Sequence, residues 1–279
     1  MKIILSRKGF DSANGGYPSP ILPDGKMISL PIPSKDFTRY SDLKMDHSHT
    51  YFDLMRDLKS KIKFEKKWSD LTIDTKCHLD PDLFPRTIQR AKNWKPCFGQ
   101  INQAQSHLFN EGVKEDDLFL FFGWFKRTIF ENGKYQFDKF EPDLHIIFGY
   151  LQIGKKLQVN DKTQIPDWMQ NHPHVSDESR KKNSTNTIYE AKENLTWNKN
   201  KSGAGIFRFN EDLILTKKGF TRSKWDLPTF FKGIKISRHS EDSWKKEGYF
   251  KSVDIGQEFV VEDHNAIENW AKQKIDHNE

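Results

Sequence analysis

Apolar positions along the chain come in continuous short runs and in spaced sets. KIIL at residues 2–5 is β-branched at its centre and unbroken, which predicts a buried strand. DDLFLFFGWF (116–125) and LHIIFGYLQIG (144–154) are longer runs and predict two more strands. Each contains a mid-run glycine, Gly123 and Gly149, and glycine inside a strand marks a bulge or a close backbone approach. An ENGK turn at 131–134 lies between them. IYEA (188–191), GIFRF (205–209), FVVED near 259–263 and residues 27–31 predict shorter strands. Spaced apolar positions predict helices. Leu54, Leu58 and Ile62 recur at intervals of four within 49–64, residues 100–110 form a short helix ending near Gly112, and AIENWAKQ forms an amphipathic closing helix. Residues 6–33 otherwise read as a long loop, and SDESRKKNSTNT (176–187), polar and without periodicity, as an exposed one. The sum is an α+β chain: a curled, mainly antiparallel sheet with flanking helices. Nothing reads as an interdomain linker, so one domain over 1–279 is expected.

Composition agrees with a folded chain. Hydrophobic residues are only 35%, but 22 Phe and 8 Trp supply large buried surfaces despite 30% charged residues. The formal charge of +6 suits a phosphate-bearing partner, although the lysines are spread out and form no basic tail. Cys77 and Cys97 are too few for a disulfide framework and form no CxxC pair, which favours a reducing, cytoplasmic setting. No apolar run reaches the length of a membrane span, and the apolar stretch before Ser6 is too short for a signal peptide, so no membrane partner is expected.

Candidate chemistry clusters after the first strand. Arg7 and Lys8 can grip phosphate, and Gly15 and Gly16 permit positive φ and let backbone N–H groups approach an anion. Asp11 and Ser12 sit between them. Asp11 can accept a proton or orient a hydroxyl, or simply cap its own turn. No GxxxxGK[ST] motif is present. In CHLDPDLFP, His78 and Asp80 lie two apart, so an extended backbone points both to one face as an acid–base pair or as metal ligands. Asp82 can join them, and D-P-D is equally ordinary turn chemistry. His172 and His174 flank Pro173, which biases His172 toward extended geometry; zinc would need a further ligand. Trp124, Trp168 and Trp225 can stack on a base or pack in the core, and Arg208, Arg222 and Lys224 can meet phosphate or water.

Taken in order, LSRKGFDSANGGYPSPILPDG (5–25), CHLDPDLFP (77–85), FGQINQAQSHL (98–108), DLFLFFGWF (117–125), HIIFGYLQIG (145–154), HPH (172–174), NTIYEA (186–191), GAGIFRF (203–209) and GQEFVVED (256–263) resemble one family over residues 1 to about 275. It is the prokaryotic and phage family called nucleotide modification associated domain, type three. The resemblance implies a nucleotide or DNA substrate within a pathway that makes or installs modified bases; it fixes no reaction and no cofactor. It raises Arg7, Lys8, Asp11, Ser12, His78, Asp80, Gln100, His145, His172, His174 and Arg208 as polar members of the shared blocks. The two long strands also look similar to barrel strands of PUA-like domains, an analogy of fold alone.

The expectation is an enzyme acting on a nucleotide or on a base in DNA within a nucleic-acid modification or phage-conflict pathway. Asp11, His78 and Asp80 would be catalytic; Arg7, Lys8, Ser12, Gly15, Gly16, His145, His172, His174 and Arg208 would bind substrate. The alternatives are a non-catalytic module that binds a modified base or nucleotide signal, and a metal-dependent hydrolase using Asp11, His78, His172 or His174.

Overall fold

The computed structural model describes residues 1–253 and 256–278. The strands are β1 (Ile3–Arg7), β2 (Ser19–Ile21), β3 (Lys61–Phe64), β4 (Lys67–Asp70), β5 (Cys97–Gln100), β6 (Leu118–Glu131), β7 (Lys134–Phe137), β8 (Leu144–Gln158), β9 (Thr187–Ala191), β10 (Ala204–Ile206), β11 (Lys224–Trp225), β12 (Phe250–Lys251) and β13 (Glu258–Val261). The α-helices are few: α1 (Tyr51–Leu58), α2 (Asn102–Asn110), α3 (Pro173–Ser176), α4 (Glu178–Lys181) and α5 (Asn265–Asp276).

One large mixed sheet dominates, in the order β13-β1-β6-β8-β9-β5, with β2 and β7 added on β6 and β10 on β8. Most pairings are antiparallel; β1 and β2 run parallel to β6. The sheet is open among the described residues: its terminal strands β13 and β5 do not pair with each other, and the curled sheet expected from the glycine-bearing strands is not what forms. The glycines answer to local crowding instead. A Cβ on Gly123 would stand 2.7 Å from the Lys8 carbonyl oxygen, and one on Gly149 would stand 2.8 Å from that of Gly205. The β6–β8 register also slips beside Gly149, where Phe121 faces Gly149 but Phe122 faces Ile147.

The unbroken apolar composition of β6 follows from its place. Leu118 to Phe122 are all buried, because β6 lies mid-sheet with both faces covered. Phe98, Phe119, Phe121 and Tyr189 form a ring cluster with centroids 5.1–6.0 Å apart. A second core gathers around Tyr40, Leu54, Met55 and Cys77.

Local signals explain where elements stop. α1 begins at Thr50, whose hydroxyl accepts from Asp53 N–H while the Asp53 carboxylate accepts from Thr50 N–H. It ends at Leu58, earlier than the apolar spacing suggests, because Lys59 turns extended and Ile62 enters β3. The ENGK turn closes a hairpin between β6 and β7, with Asn132 and Gly133 both at positive φ. The expected strand at 27–31 is reduced to a bridge between Met27 and Ile21. The polar stretch 176–187 is not wholly loop: it contains α4, capped by Asp177. No helix among the described residues is long and apolar enough to cross a membrane.

His145 shows how deeply some sequence candidates are placed. Its ring is buried on β8, Nδ1 accepts from Trp225 Nε1 at 3.0 Å, and Phe122 lies edge-on at 5.4 Å. Burial first, then the charges of Arg222, Arg7 and Lys251, pushes its pKa down from 6.5 to about 3. The folded pKa lies below the unfolded one, so the unfolded chain binds the extra proton between those values. Stability therefore falls as pH drops through that window. Urea unfolding should show His145 costing on the order of 2 kcal/mol between pH 6.5 and 4.5, a loss that shrinks by that amount in His145→Gln.

Candidate active site

A cleft of about 530 Å³ opens beside β5, between the loop that follows β1, the His78–Asp82 segment and the α3–α4 turn. The backbone holds the His78–Asp82 segment tightly. His78 N–H donates to the Ile32 carbonyl at 2.8 Å, and Asp82 exchanges both backbone hydrogen bonds with Cys97 at 2.9 and 3.0 Å. Gly99 N–H donates to Asp80 Oδ1 at 2.9 Å, which turns the carboxylate toward the cleft floor. Gly99 also makes room: a Cβ there would stand 2.4 Å from the His174 ring. Pro173 stands at the first position of α3, and His172 caps it, its Nδ1 accepting from His174 N–H at 3.2 Å. The HPH motif thus sets both imidazoles against Asp80.

The result is a buried carboxylate among three histidines. Asp80 Oδ2 lies 3.7 Å from both His78 Nε2 and His174 Nε2, and Oδ1 lies 3.6 Å from His172 Nε2. These separations exceed hydrogen-bond length. Each histidine is oriented from behind. His78 Nδ1 meets the Asp36 carboxylate at 2.7 Å, and Asp36 is gripped by Arg180 Nη1 at 2.5 Å. His174 Nδ1 meets Asn186 Oδ1 at 2.7 Å, while Asn186 Nδ2 donates to the His174 carbonyl at 2.8 Å.

Electrostatics follow this packing. Burial alone would raise the Asp80 carboxyl, but His172, His78 and His174 outweigh it and hold Asp80 well below the usual carboxylate range. Burial would lower His78, but the hydrogen bond to Asp36 and the negative charges of Asp36 and Asp80 leave it raised. For His174, burial dominates and pushes the pKa down to about 3, so its ring is neutral near pH 7. His78 Nε2, an Asp80 oxygen and His174 Nε2 lie within 4.8 Å of one another, the spacing of a set that can take a metal ion.

The structure brings together a subset of the residues singled out in the sequence. Arg7, Lys8, Asp11, His78, Asp80, Gln100 and His174 line this cleft, with His172 behind Asp80. Several are already occupied. Lys8 Nζ donates to Glu258 Oε1 at 2.7 Å, Gln100 Nε2 donates to the same oxygen at 2.6 Å, and Arg7 Nη2 donates to the Gly256 carbonyl at 2.6 Å. Asp11 Oδ1 accepts from the N–H groups of Ala13 and Asn14, both at 2.7 Å, as in an Asx turn.

Ser12, Gly15 and Gly16 serve that turn rather than the cleft wall. The Ser12 carbonyl accepts from Lys63 Nζ; Gly15 N–H goes to the Lys63 carbonyl and Gly16 N–H to that of Asp11. Gly15 lies against the Phe10 ring at a positive φ that glycine adopts freely. Asp82 turns away into a fork with Arg90, both contacts at 2.6 Å. His145 lies in the core, and Arg208 lines a separate cleft of about 700 Å³ with Lys26, Lys44, Arg86 and an apolar floor that includes Met27 and Ile206. A small cavity of about 50 Å³ lies between them, lined both by Gly9 and Asp80 of the first cleft and by Met27, Tyr51 and Ile206 of the second.

Asp36, Asn186, Arg180 and Glu258 were not among the sequence candidates. Asn186 and Glu258 fall inside quoted blocks and were within reach of that signal; Asp36 and Arg180 sit in stretches with no motif. A family model described as nucleotide modification associated domain 3 matches residues 2–262. The chain belongs to that family. Searches of curated proteins and of solved structures return no match. Membership in the nucleotide modification associated domain 3 family points to a role in nucleotide modification.

Proposed function

We propose that the chain is an enzyme that modifies a nucleotide, or a base in DNA, in the cleft beside β5. The observation that carries this reading is Asp80, a charged carboxylate only 4% exposed, ringed by His78, His172 and His174 at the floor of an open cleft. Such a concentration of perturbed titratable groups in a cleft is costly for folding and useful for chemistry. In this reading Asp80 and His78 act on the reacting group at the cleft floor. Asp11 at the cleft wall orients substrate, and Arg7 with the exposed Lys35 attracts phosphate. The full span 1–279 works as one domain.

A second reading rests on the other cleft. Its apolar floor with Lys26, Lys44, Arg86 and Arg208 suits a base and its phosphates, and the Asp46 and His47 that also line it do not converge on a buried centre as the groups around Asp80 do. There the chain would hold a modified base or nucleotide signal unchanged.

One experiment separates the two. The purified chain is incubated with a nucleotide pool and with duplex DNA, and both are digested and compared by mass spectrometry. A nucleoside of altered mass supports the enzyme. Tight binding with every mass unchanged, weakened by Arg208→Glu, supports the binding module.

A further inference from the structure

We infer that His78, Asp80 and His174 bind a divalent first-row transition-metal ion through His78 Nε2, Asp80 Oδ2 and His174 Nε2. The inference deepens the enzymatic reading above and rests on it for the ion's role, while the binding itself rests on hydrogen-bond accounting.

Proton positions follow from the partners. Asp36 is an acceptor-only carboxylate 2.7 Å from His78 Nδ1, so Nδ1 carries a proton. Asn186 Nδ2 donates to the His174 carbonyl, which turns Asn186 Oδ1 toward His174 Nδ1, so that Nδ1 also carries a proton. In the neutral rings, each Nε2 then presents a lone pair. Both lone pairs face Asp80 Oδ2 at 3.7 Å. With both rings neutral, three acceptor atoms converge within 4.8 Å with no proton between them, and a cation there resolves the conflict in place of a second proton on His78.

The fourth group fits the same scheme. His172 Nδ1 accepts from His174 N–H, so its Nε2 carries the proton and faces Asp80 Oδ1 at 3.6 Å. Buried His172 Nε2 has no hydrogen-bond partner. With Gly99 N–H it addresses Oδ1 and leaves Oδ2 for the ion. His172 is a positioning residue here, not a ligand. Asp36 and Asn186 behind the two ligand histidines are the kind of partners that orient metal-bound imidazoles.

Ligands about 2.0–2.2 Å from an ion stand roughly 3–3.5 Å apart, so closure from the present spacing needs movements below about 1 Å. Two imidazoles and one carboxylate favour zinc, iron(II), cobalt or manganese over magnesium or calcium. Three protein ligands leave positions open toward the cleft, the pattern of a reactive rather than a structural site. An ion there would activate water or polarise a substrate oxygen.

The whole chain, stripped with chelator, is titrated with Zn²⁺ and Co²⁺, and with Mg²⁺ as competitor. A single equivalent of Zn²⁺ should bind, Co²⁺ should give visible absorption bands of nitrogen–oxygen ligation, and Mg²⁺ should not displace either. His174→Gln should weaken binding more than about 100-fold and Asp36→Asn about 10- to 100-fold, with circular dichroism unchanged. His145→Gln, outside the cluster, should bind like the wild type. No uptake by the wild type, or unaltered uptake by His174→Gln, overturns the inference. The alternative arrangement, a doubly protonated His78 bridging Asp36 and Asp80, predicts that first result. Metal uptake with no altered nucleoside in the mass-spectrometric assay keeps the site and overturns the enzymatic reading. Turnover undiminished in chelator, with no uptake, does the reverse.

Discussion

Asp80→Asn should lower turnover by about 10² to 10⁴-fold while the chain stays folded. Asparagine keeps the volume of aspartate and an oxygen that can accept the Gly99 N–H bond, so the backbone clamp at 2.9 Å survives. What it removes is the negative charge at the centre of three imidazoles. That charge acts with Asp36 to hold the His78 pKa up, and it opposes the burial that lowers His174. The measurement is a comparison of rate constants beside thermal unfolding. An unchanged rate with an unchanged midpoint would remove Asp80 from the chemistry and move the reading to the second cleft.

Lys8→Met should instead act on the fold. Lys8 was expected to hold phosphate, yet its side chain is 8% exposed and its ammonium is matched by Glu258, 1% exposed, at 2.7 Å. It also lies 4.4 Å from the centre of the Phe98 ring. Among the described residues, Glu258 Oε1 receives one other side-chain donor, Gln100, and Oε2 has no hydrogen-bond partner. Removing Lys8 strands a buried carboxylate and should cost about 3–5 kcal/mol, a fall in midpoint on the order of 10 °C. Adding Glu258→Gln removes the stranded charge and should restore most of the loss. If Lys8 served phosphate alone, the single variant would keep its midpoint and lose only nucleotide affinity.

Much of the sheet was legible because it obeys local rules. KIIL, DLFLFF and HIIF are buried strands by composition, and Gly123 and Gly149 mark real crowding. The open edge was not legible, since closure depends on whether β5 and β13 meet, a question of distance that periodicity does not carry. At the site, CHLDPD and HPH were readable because two-residue spacing places side chains on one face. Their union on Asp80 was not, because almost a hundred residues separate them and they meet only through distant parts of the chain, the β5 backbone and the Asp36–Arg180 pair. The loop after β1 misled in a specific way: glycines, an aspartate and basic residues compose an anion nest and a self-capped turn equally well. Here the N–H groups of Gly15 and Gly16 are spent on Lys63 and Asp11. Arg180 was hidden because a four-residue helix carries too little pattern to register.

The placement of β1 bears on how the chain is made. Its parallel neighbour β6 begins at Leu118, and its other neighbour, β13, spans Glu258–Val261, so the first strand waits for nearly the last one. The Lys8–Glu258 contact closes a loop of 250 positions. During synthesis, Ile3, Ile4 and Leu5 stand with an unpaired edge until that segment emerges, and Lys8 lacks its Glu258 partner. Folding should accordingly be slow and dominated by long-range closure, and a growing chain is exposed to edge-to-edge association until β13 is made. The cleft wall bearing Lys8 and Gln100 is completed only when Glu258 arrives, so no nascent fragment holds the finished site.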